Sequence, residues 1–178
     1  MSLLAHRLLH IHDALSQADL PHAFGGAIAL AYCTEEPRGT RDLDVNVFVE
    51  PARAKDVLVA LPEAVTAASD DIRTLEEEGQ VRVWWEDTPL DLFLDIHSFH
   101  AEVAQNVRLV PFEGRSVPVL DCTALAVFKA LFDRTKDWAD IEEMVAAEAL
   151  DLPRAVAWVE RLAGSDSSPA RRLVSLAN

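Results

Sequence analysis

Three aspartates on two short apolar segments have the type and spacing that metal-assisted chemistry needs. Asp42 and Asp44 flank one leucine in a segment of alternating character, so in a strand both carboxylates would project from the same face. Asp91 lies between two leucines in a later segment of the same kind. Carboxylates that lie close together repel one another and need cations or protons, and magnesium is a usual partner of oxygen ligands. If the two strands are neighbours, the three acids predict a metal site suited to in-line displacement at phosphorus.

The pair Gly25–Gly26 is the second feature with chemical meaning. Two glycines between a strand and a helix let the backbone approach a ligand closely, and the following helix offers free N–H groups to a phosphate. A simple tight turn would use the same residue types. The pair therefore indicates a phosphate site only in combination with the acids.

The elements that must position these residues are predicted from hydrophobic periodicity and from turn residues. Helices are expected at 2–18, 27–33, 51–61, 98–106, 122–133, 136–149 and 153–163, with a weaker one after Pro169. Strands are expected at 43–49, 81–86, 90–96, 107–112 and 116–120, the last four forming two hairpins. Residues 63–79 carry no clear pattern. This order predicts an α/β (α+β) fold with a small mixed-sheet core at 1–120 and a helical part at 121–178 packed on it as a single domain.

The balance of charge limits the partners of the protein. The chain has 178 residues, half of them apolar, with 30 acidic and 16 basic residues and a net charge of −14. That charge disfavours a protein that binds duplex DNA mainly through its phosphates. Residues 63–95 hold ten acidic and two basic residues, which indicates either a solvated acidic face or a site for a metal or a cationic substrate.

The cysteines and the apolar runs predict the compartment. Cys33 and Cys122 lie far apart and lack CxxC spacing, so we expect buried thiols in a reducing compartment and neither a disulfide framework nor a zinc site. No apolar run approaches the ~20 residues that a membrane span needs, and the first residues lack a signal core. We therefore expect a cytoplasmic protein that does not contact membranes.

In combination, the motifs resemble the nucleotidyltransferase superfamily of the polymerase-β type. That family has an apolar residue before Gly-Gly or Gly-Ser, an interval, an acid–apolar–acid strand and a third acid on a later strand. Here fifteen residues separate Gly26 from Asp42, and the segment 90–92 fits the third acid. The form Arg-x-Thr-x-Asp-x-Asp at 38–44 and the stretch 129–141 are similar to the AbiEii-like branch, which includes abortive-infection and toxin nucleotidyltransferases.

The resemblance implies a small mixed-sheet nucleotidyltransferase fold with Mg²⁺ as the cofactor and Mn²⁺ as a substitute. Asp42 and Asp44 would hold the metal on the triphosphate of a bound NTP. Asp91 would bind one metal and take the proton from the acceptor hydroxyl, and Asp95, on the same strand face, is the alternative for that role. The remaining nucleotide contacts would come from Gly25, Gly26, Arg38, Thr40 and Lys129.

The resemblance also implies that Lys129 and Asp137 act in catalysis. Lys129 lies on an apolar helical stripe, and a lysine that faces inward needs an anionic partner, either nucleotide phosphate or a carboxylate of the site. A lysine that extends from the edge of the core into water fits the same pattern. Asp137 fits equally well an acid that stabilises a helix N-terminus. Arg38 and Arg41 would steady phosphate or balance nearby acids.

The implied reaction moves a nucleoside monophosphate from an NTP to an acceptor hydroxyl and releases pyrophosphate. The toxin-like branch favours RNA, such as a tRNA 3′ end, or a protein as the acceptor, with an antitoxin as a partner. The acidic charge favours instead a small cationic acceptor of the aminoglycoside kind. A non-catalytic homologue that binds a nucleotide or another protein is the third alternative.

Two further groups have simpler explanations. Asp95, His97 and His100 lie close in sequence but lack the His-Glu-x-x-His pattern, so zinc is not expected there. Trp84 and Trp85 put one indole on each face of a strand, and packing in the core is favoured over base stacking.

Overall fold

The computed structural model describes residues 2–176 and divides into two compact units. The first unit comprises Met1–Ala27 and Gly39–Val119, and the second comprises Ile28–Arg38 and Leu120–Asn178. The predicted arrangement, a core at 1–120 with a helical part at 121–178 packed on it as a single domain, stays a prediction.

The first unit is built on a mixed sheet, which within the described residues has seven strands. In chain order these are β1 (His22–Phe24), β2 (Leu43–Val47), β3 (Val65–Thr66), β4 (Gln80–Trp85), β5 (Thr88–Leu94), β6 (Arg108–Phe112) and β7 (Arg115–Val119). Their order across the sheet is β3-β4-β5-β2-β1-β7-β6. The β2–β5 and β1–β7 pairs are parallel and the others antiparallel. The predicted α/β (α+β) class is confirmed.

The helices follow the predicted order, and one further helix lies in the segment 63–79, where the sequence shows no clear pattern. They are α1 (Leu3–Gln17), α2 (Gly26–Thr34), α3 (Ala54–Ala60), α4 (Asp71–Glu78), α5 (Ser98–Gln105), α6 (Cys122–Phe132), α7 (Thr135–Ala146), α8 (Leu152–Ala163) and α9 (Ser168–Leu176). The helix expected at 51–61 begins as a 3₁₀ turn at Pro51–Arg53 before α3. None of the helices within residues 2–176 is long and apolar enough to cross a membrane.

Strand β4 has one buried face and one open face. Its side chains alternate strictly between exposed and buried from Gln80 to Trp85, because successive residues of a strand point to opposite sides of the sheet. Trp85 is on the buried face, where Arg7 of α1 lies 5.9 Å from its ring. The open face carries Arg82 and Trp84, so charged and polar side chains can lie on it without being buried in the core.

The buried Arg7 fixes the turn between β4 and β5. Its side chain is 2% exposed and forms ion pairs with Glu86 and Asp87 and a hydrogen bond to the Thr88 hydroxyl. Glu86 adopts a left-handed conformation, with φ of 53°. The strands are therefore joined by the two residues Glu86 and Asp87, and β5 begins two residues earlier than the predicted turn over 87–89 allows.

The second unit is a group of helices around α6, which packs against α7, α8 and α9. Asp121 caps the start of α6, because its side chain accepts hydrogen bonds from the backbone N–H groups of Thr123 and Ala124 at 2.9 and 3.0 Å. Such a cap satisfies donors that have no partner within the helix. The apolar side chains of α6 are accordingly held against their neighbours from its first turn.

The structure corrects the prediction of two buried thiols. Cys33 of α2 and Cys122 of α6 form a disulfide within the second unit, with their Cα atoms 5.6 Å apart. Sequence reasoning missed the bond because 89 residues separate the two cysteines, and pairing at such a distance depends on the tertiary fold. The bond closes a long loop, which removes conformational freedom from the unfolded chain.

We expect reduction of this disulfide to lower the free energy of unfolding by about 2–4 kcal/mol, the range typical of native disulfides. The measurement is denaturant unfolding with and without reductant, beside a thiol count on the unreduced, denatured protein. Reductant should destabilise the wild type and leave the Cys33→Ala/Cys122→Ala variant unchanged. Two reactive thiols in the unreduced protein would contradict the bond.

Candidate active site

The three predicted acids lie on neighbouring strands of the first unit. The register of the parallel pair β2–β5 places Asp44 directly beside Asp91. Asp42 precedes β2 by one residue and shares the face of Asp44 by alternation. The convergence expected if the two strands are neighbours is therefore present in the sheet.

The alternative third acid, Asp95, lies away from this pair. It follows the last residue of β5, and its backbone N–H donates to the Val49 carbonyl at 3.0 Å. Its carboxylate lies 3.8 Å from Nδ1 of His100. Four strand residues correspond to roughly 13 Å, so Asp95 is too far along the strand to share a ligand with Asp44.

An arginine that the sequence reasoning did not single out binds the third acid. Arg82 of β4 is the register partner of Asp91. Its Nε and Nη2 donate to the two carboxylate oxygens of Asp91, both at 2.7 Å, and its Nη2 lies 3.9 Å from Oδ2 of Asp42. The hydrogen bonds to Asp91 raise the pKa of the Arg82 guanidinium, and the charges of Asp91, Asp42 and Asp44 add to this effect.

A sequence signal for Arg82 exists, but it depends on the length of the turn. With the two-residue turn Glu86–Asp87, Arg82 lies opposite Asp91. With the predicted three-residue turn at 87–89, Arg82 would lie opposite Leu94 instead. A basic residue on the open face of the strand next to the acids is the pattern that would have identified it.

The two glycines contact the strand that carries the acids. The Gly25 N–H donates to the Asp44 carbonyl at 2.8 Å. Gly26 opens α2 with a left-handed φ of +50°, and a Cβ at this position would lie 1.9 Å from Oδ2 of Asp44. Only glycine therefore allows the start of the helix to lie against the Asp44 carboxylate. The predicted phosphate contacts of both glycines remain predictions.

Thr40 and Arg38 make contacts in different units. The Thr40 hydroxyl accepts from the Asp42 N–H at 3.2 Å and donates to the Asp42 carbonyl at 3.3 Å, which braces the segment before β2. Arg38 belongs to the second unit, where it forms ion pairs with Asp140 and Glu143. Arg38 thus balances acids there, one of the two roles considered for it, and its contact with nucleotide remains a prediction.

Lys129 is the centre of a buried group of charges in the second unit. Its Nζ lies 2.6 Å from Asp140 and 3.4 Å from Asp137, while Arg134 binds the same Asp137 through two nitrogens. Burial would raise the pKa of Asp137, but the hydrogen bond from Arg134 and the charge of Lys129 outweigh it and hold that pKa below its usual value. The inward lysine has carboxylate partners within its own unit, and the catalytic roles of Lys129 and Asp137 remain predictions.

The acids fit a magnesium ion in part. Carboxylate oxygens are suitable donors for Mg²⁺, and the side chain of Asp42 is 44% exposed. Both oxygens of Asp91, however, already accept hydrogen bonds from Arg82. Across residues 2–176 no group of three or more His, Cys, Asp or Glu side chains is arranged to hold a metal ion. The donor set present for a cation is thus Asp42 and Asp44.

Trp84 departs from the expected packing in the core. Its side chain is 45% exposed, whereas Trp85 is buried. Trp84 lies on the open face, two residues beyond Arg82, with Pro89 and Thr66 as its register partners on the adjacent strands. An aromatic surface therefore lies roughly 7 Å along the strand from the residue that binds Asp91.

We expect Gly26→Ala to lower the free energy of unfolding by about 1–3 kcal/mol, because the new Cβ meets the Asp44 carboxylate in a left-handed backbone conformation. Gly39→Ala is the matched control, since nothing lies within 4 Å of a Cβ there. That control should change stability by less than about 1 kcal/mol. Urea unfolding of both variants measures the difference, and equal stabilities would contradict the close approach of Gly26 to Asp44.

Comparisons with known proteins find a likeness in fold. No family model matches the chain, and no curated protein matches it. The solution structure of the antibiotic-resistance factor ANT(2'')-Ia is similar over 98% of this chain and 95% of its own, with a TM-score of 0.62 and 16% identity. The crystal structure of ANT(2'')-Ia in complex with adenylyl-2''-tobramycin is similar over 99% of this chain and 100% of its own, with a TM-score of 0.62 and 14% identity. The chain therefore has a nucleotidyltransferase-like fold.

Proposed function

We propose that the protein is a nucleotidyltransferase that moves a nucleoside monophosphate from an NTP onto a hydroxyl group of an acceptor. The observation that carries the proposal is the register of β2 and β5, which sets Asp91 beside Asp44. Asp42 lies two residues before Asp44 and on the same face of the sheet. Three carboxylates on one face of a sheet repel one another and therefore destabilise the folded state. A role in catalysis explains why the protein carries them.

The three acids have different roles in the proposed transfer. Asp42 and Asp44 would hold Mg²⁺, which when bound neutralises charge on the triphosphate and aligns its phosphorus for displacement. Asp91 accepts the proton of the acceptor hydroxyl. The acceptor oxygen forms a new bond to the α-phosphorus, the bond to the bridging oxygen breaks, and the electron pair leaves with pyrophosphate. Positioning and electrostatics supply most of the rate in this type of reaction.

A small cationic acceptor suits the charges of the protein. The net charge of −14 attracts a polycation and repels a polyanion such as RNA. ANT(2'')-Ia, which shares the fold, was crystallised with adenylyl-2''-tobramycin, and tobramycin is a polycationic aminoglycoside. We therefore propose an acceptor with amino groups and a free hydroxyl.

An RNA or protein acceptor, as in the toxin-like branch, is the second candidate. It would need a basic surface, and the C-terminal arginines are the groups available for one. Several of them already have partners in the second unit, since Arg172 lies over Trp138 and near Glu142, and Arg171 donates to the Asp166 carbonyl. The stretch 129–141 that resembles the branch contains the buried charges around Lys129.

Trp84 would form one wall of the acceptor site. The exposed indole lies on the open face that also carries the acids. An aromatic ring offers an apolar surface to the C–H face of a sugar ring and attracts a nearby cation. An amino sugar bound there would have its hydroxyl directed along the sheet toward Asp91.

We expect Asp44→Asn to reduce nucleotide transfer at least 100-fold, because loss of the cation's charge stabilisation costs several kcal/mol and each 1.4 kcal/mol is about tenfold in rate. The assay uses α-labelled NTPs with Mg²⁺ and offers an aminoglycoside panel, total RNA and a protein extract. Asp95→Asn is the matched control and should retain activity. An Asp44→Asn variant as active as the wild type would refute the proposed site, and label in RNA would select the second candidate.

We expect Trp84→Ala to raise the KM for the acceptor about 2- to 13-fold, as the loss of one aromatic contact of about 0.5–1.5 kcal/mol implies. The KM for the NTP should stay the same, because the indole lies beyond Arg82 on the acceptor side. Trp84→Phe keeps an aromatic surface and should behave like the wild type. Steady-state kinetics with each substrate varied in turn gives the result, and an unchanged acceptor KM in Trp84→Ala would contradict the role.

A further inference from the structure

We propose that Arg82 takes the place of a second divalent cation at Asp91, so that the site binds one cation per chain together with the NTP. This inference rests on the proposed function and adds the number of cations to it. It assigns Arg82 as a positioning residue, which holds Asp91 and neutralises it. Asp91 then acts without being a metal ligand.

The geometry of the ion pair supports this role. Arg82 and Asp91 face each other across two hydrogen-bonded strands, so the sheet itself holds them together. The guanidinium uses two nitrogens for the two oxygens of Asp91, both at 2.7 Å. A planar fork on a carboxylate is the strongest form of such a pair. The contact is thus built into the register of β4 and β5 and does not depend on a mobile side chain reaching from a loop.

The charge of Arg82 explains why a second cation is unnecessary. The guanidinium lies within 3.9 Å of a carboxylate oxygen of Asp42 as well as against Asp91. Both oxygens of Asp91 lie 2.7 Å from the guanidinium, so a divalent cation there would meet the positive charge at closer range than one held by Asp42 and Asp44, where the guanidinium lies 3.9 Å from the Asp42 oxygen. Each carboxylate oxygen has two lone pairs. Asp91 therefore keeps acceptor capacity for a substrate hydroxyl while both of its oxygens bind Arg82.

The number of bound cations tests the inference directly. Mn²⁺ binding is counted by electron paramagnetic resonance of the free ion, with saturating NTP analogue that has a methylene group between its α- and β-phosphorus atoms. We expect one Mn²⁺ per chain for the wild type and two for Arg82→Gln, which leaves Asp91 without its counter-ion. Arg82→Lys keeps the charge and should stay at one. Arg73→Gln removes an exposed arginine of α4 and should also stay at one.

Each outcome separates the inference from the proposed function. Two Mn²⁺ ions in the wild type, or one in a folded Arg82→Gln, would overturn the role of Arg82 and leave the transfer reaction standing. Circular dichroism shows whether Arg82→Gln folds. If it does not, the number of Mn²⁺ ions bound per wild-type chain still tests the inference. No binding of Mn²⁺ with the analogue by the wild type would overturn both proposals.

Discussion

The repulsion among three carboxylates on one face of a sheet is the constraint on which the first unit depends. Strand pairing holds Asp44 against Asp91, and alternation adds Asp42. Arg82, which is positioned by the next strand, reduces this repulsion because it binds Asp91 through two hydrogen bonds. A cation bound to the remaining acids would complete the neutralisation. The same repulsion between carboxylates is therefore reduced by Arg82 in the folded chain and would be reduced further by a bound cation.

The close approach of backbone to carboxylate shows how tightly the site is built. The Gly25 N–H donates to the backbone carbonyl of Asp44. Gly26 lies so close to the Asp44 carboxylate that a Cβ on Gly26 would overlap with it. The start of α2 thus lies against the acid that the proposed cation would use. A helix N-terminus carries partial positive charge, so its position near Asp44 lowers the electrostatic cost of the carboxylates.

In the second unit, charged side chains are neutralised by ion pairs with one another. Lys129 and Asp137 are buried and neutralise one another, while the half-exposed Arg134 and Arg38 bind Asp137 and Asp140 at the edge of the group. A buried charge without partners is strongly unfavourable, so these residues hold α6 and α7 in one arrangement. The disulfide between Cys33 and Cys122 links α6 covalently to α2. The stretch 129–141 therefore contains ion pairs that stabilise the second unit.

The sequence by itself determined the local features. Alternation put Asp42 and Asp44 on one face, and periodicity indicated most helices and strands in order but not β3 or α4, because each signal depends on residues a few positions apart. Tertiary structure decided the rest. The two-residue turn at Glu86 and Asp87, which Arg7 binds, sets the register that puts Arg82 on Asp91. Pairing of the two cysteines and exposure of Trp84 likewise depend on which elements become neighbours. Contacts between residues distant in sequence carry no local signal, since the energy that selects them arises only when the strands and helices pack together.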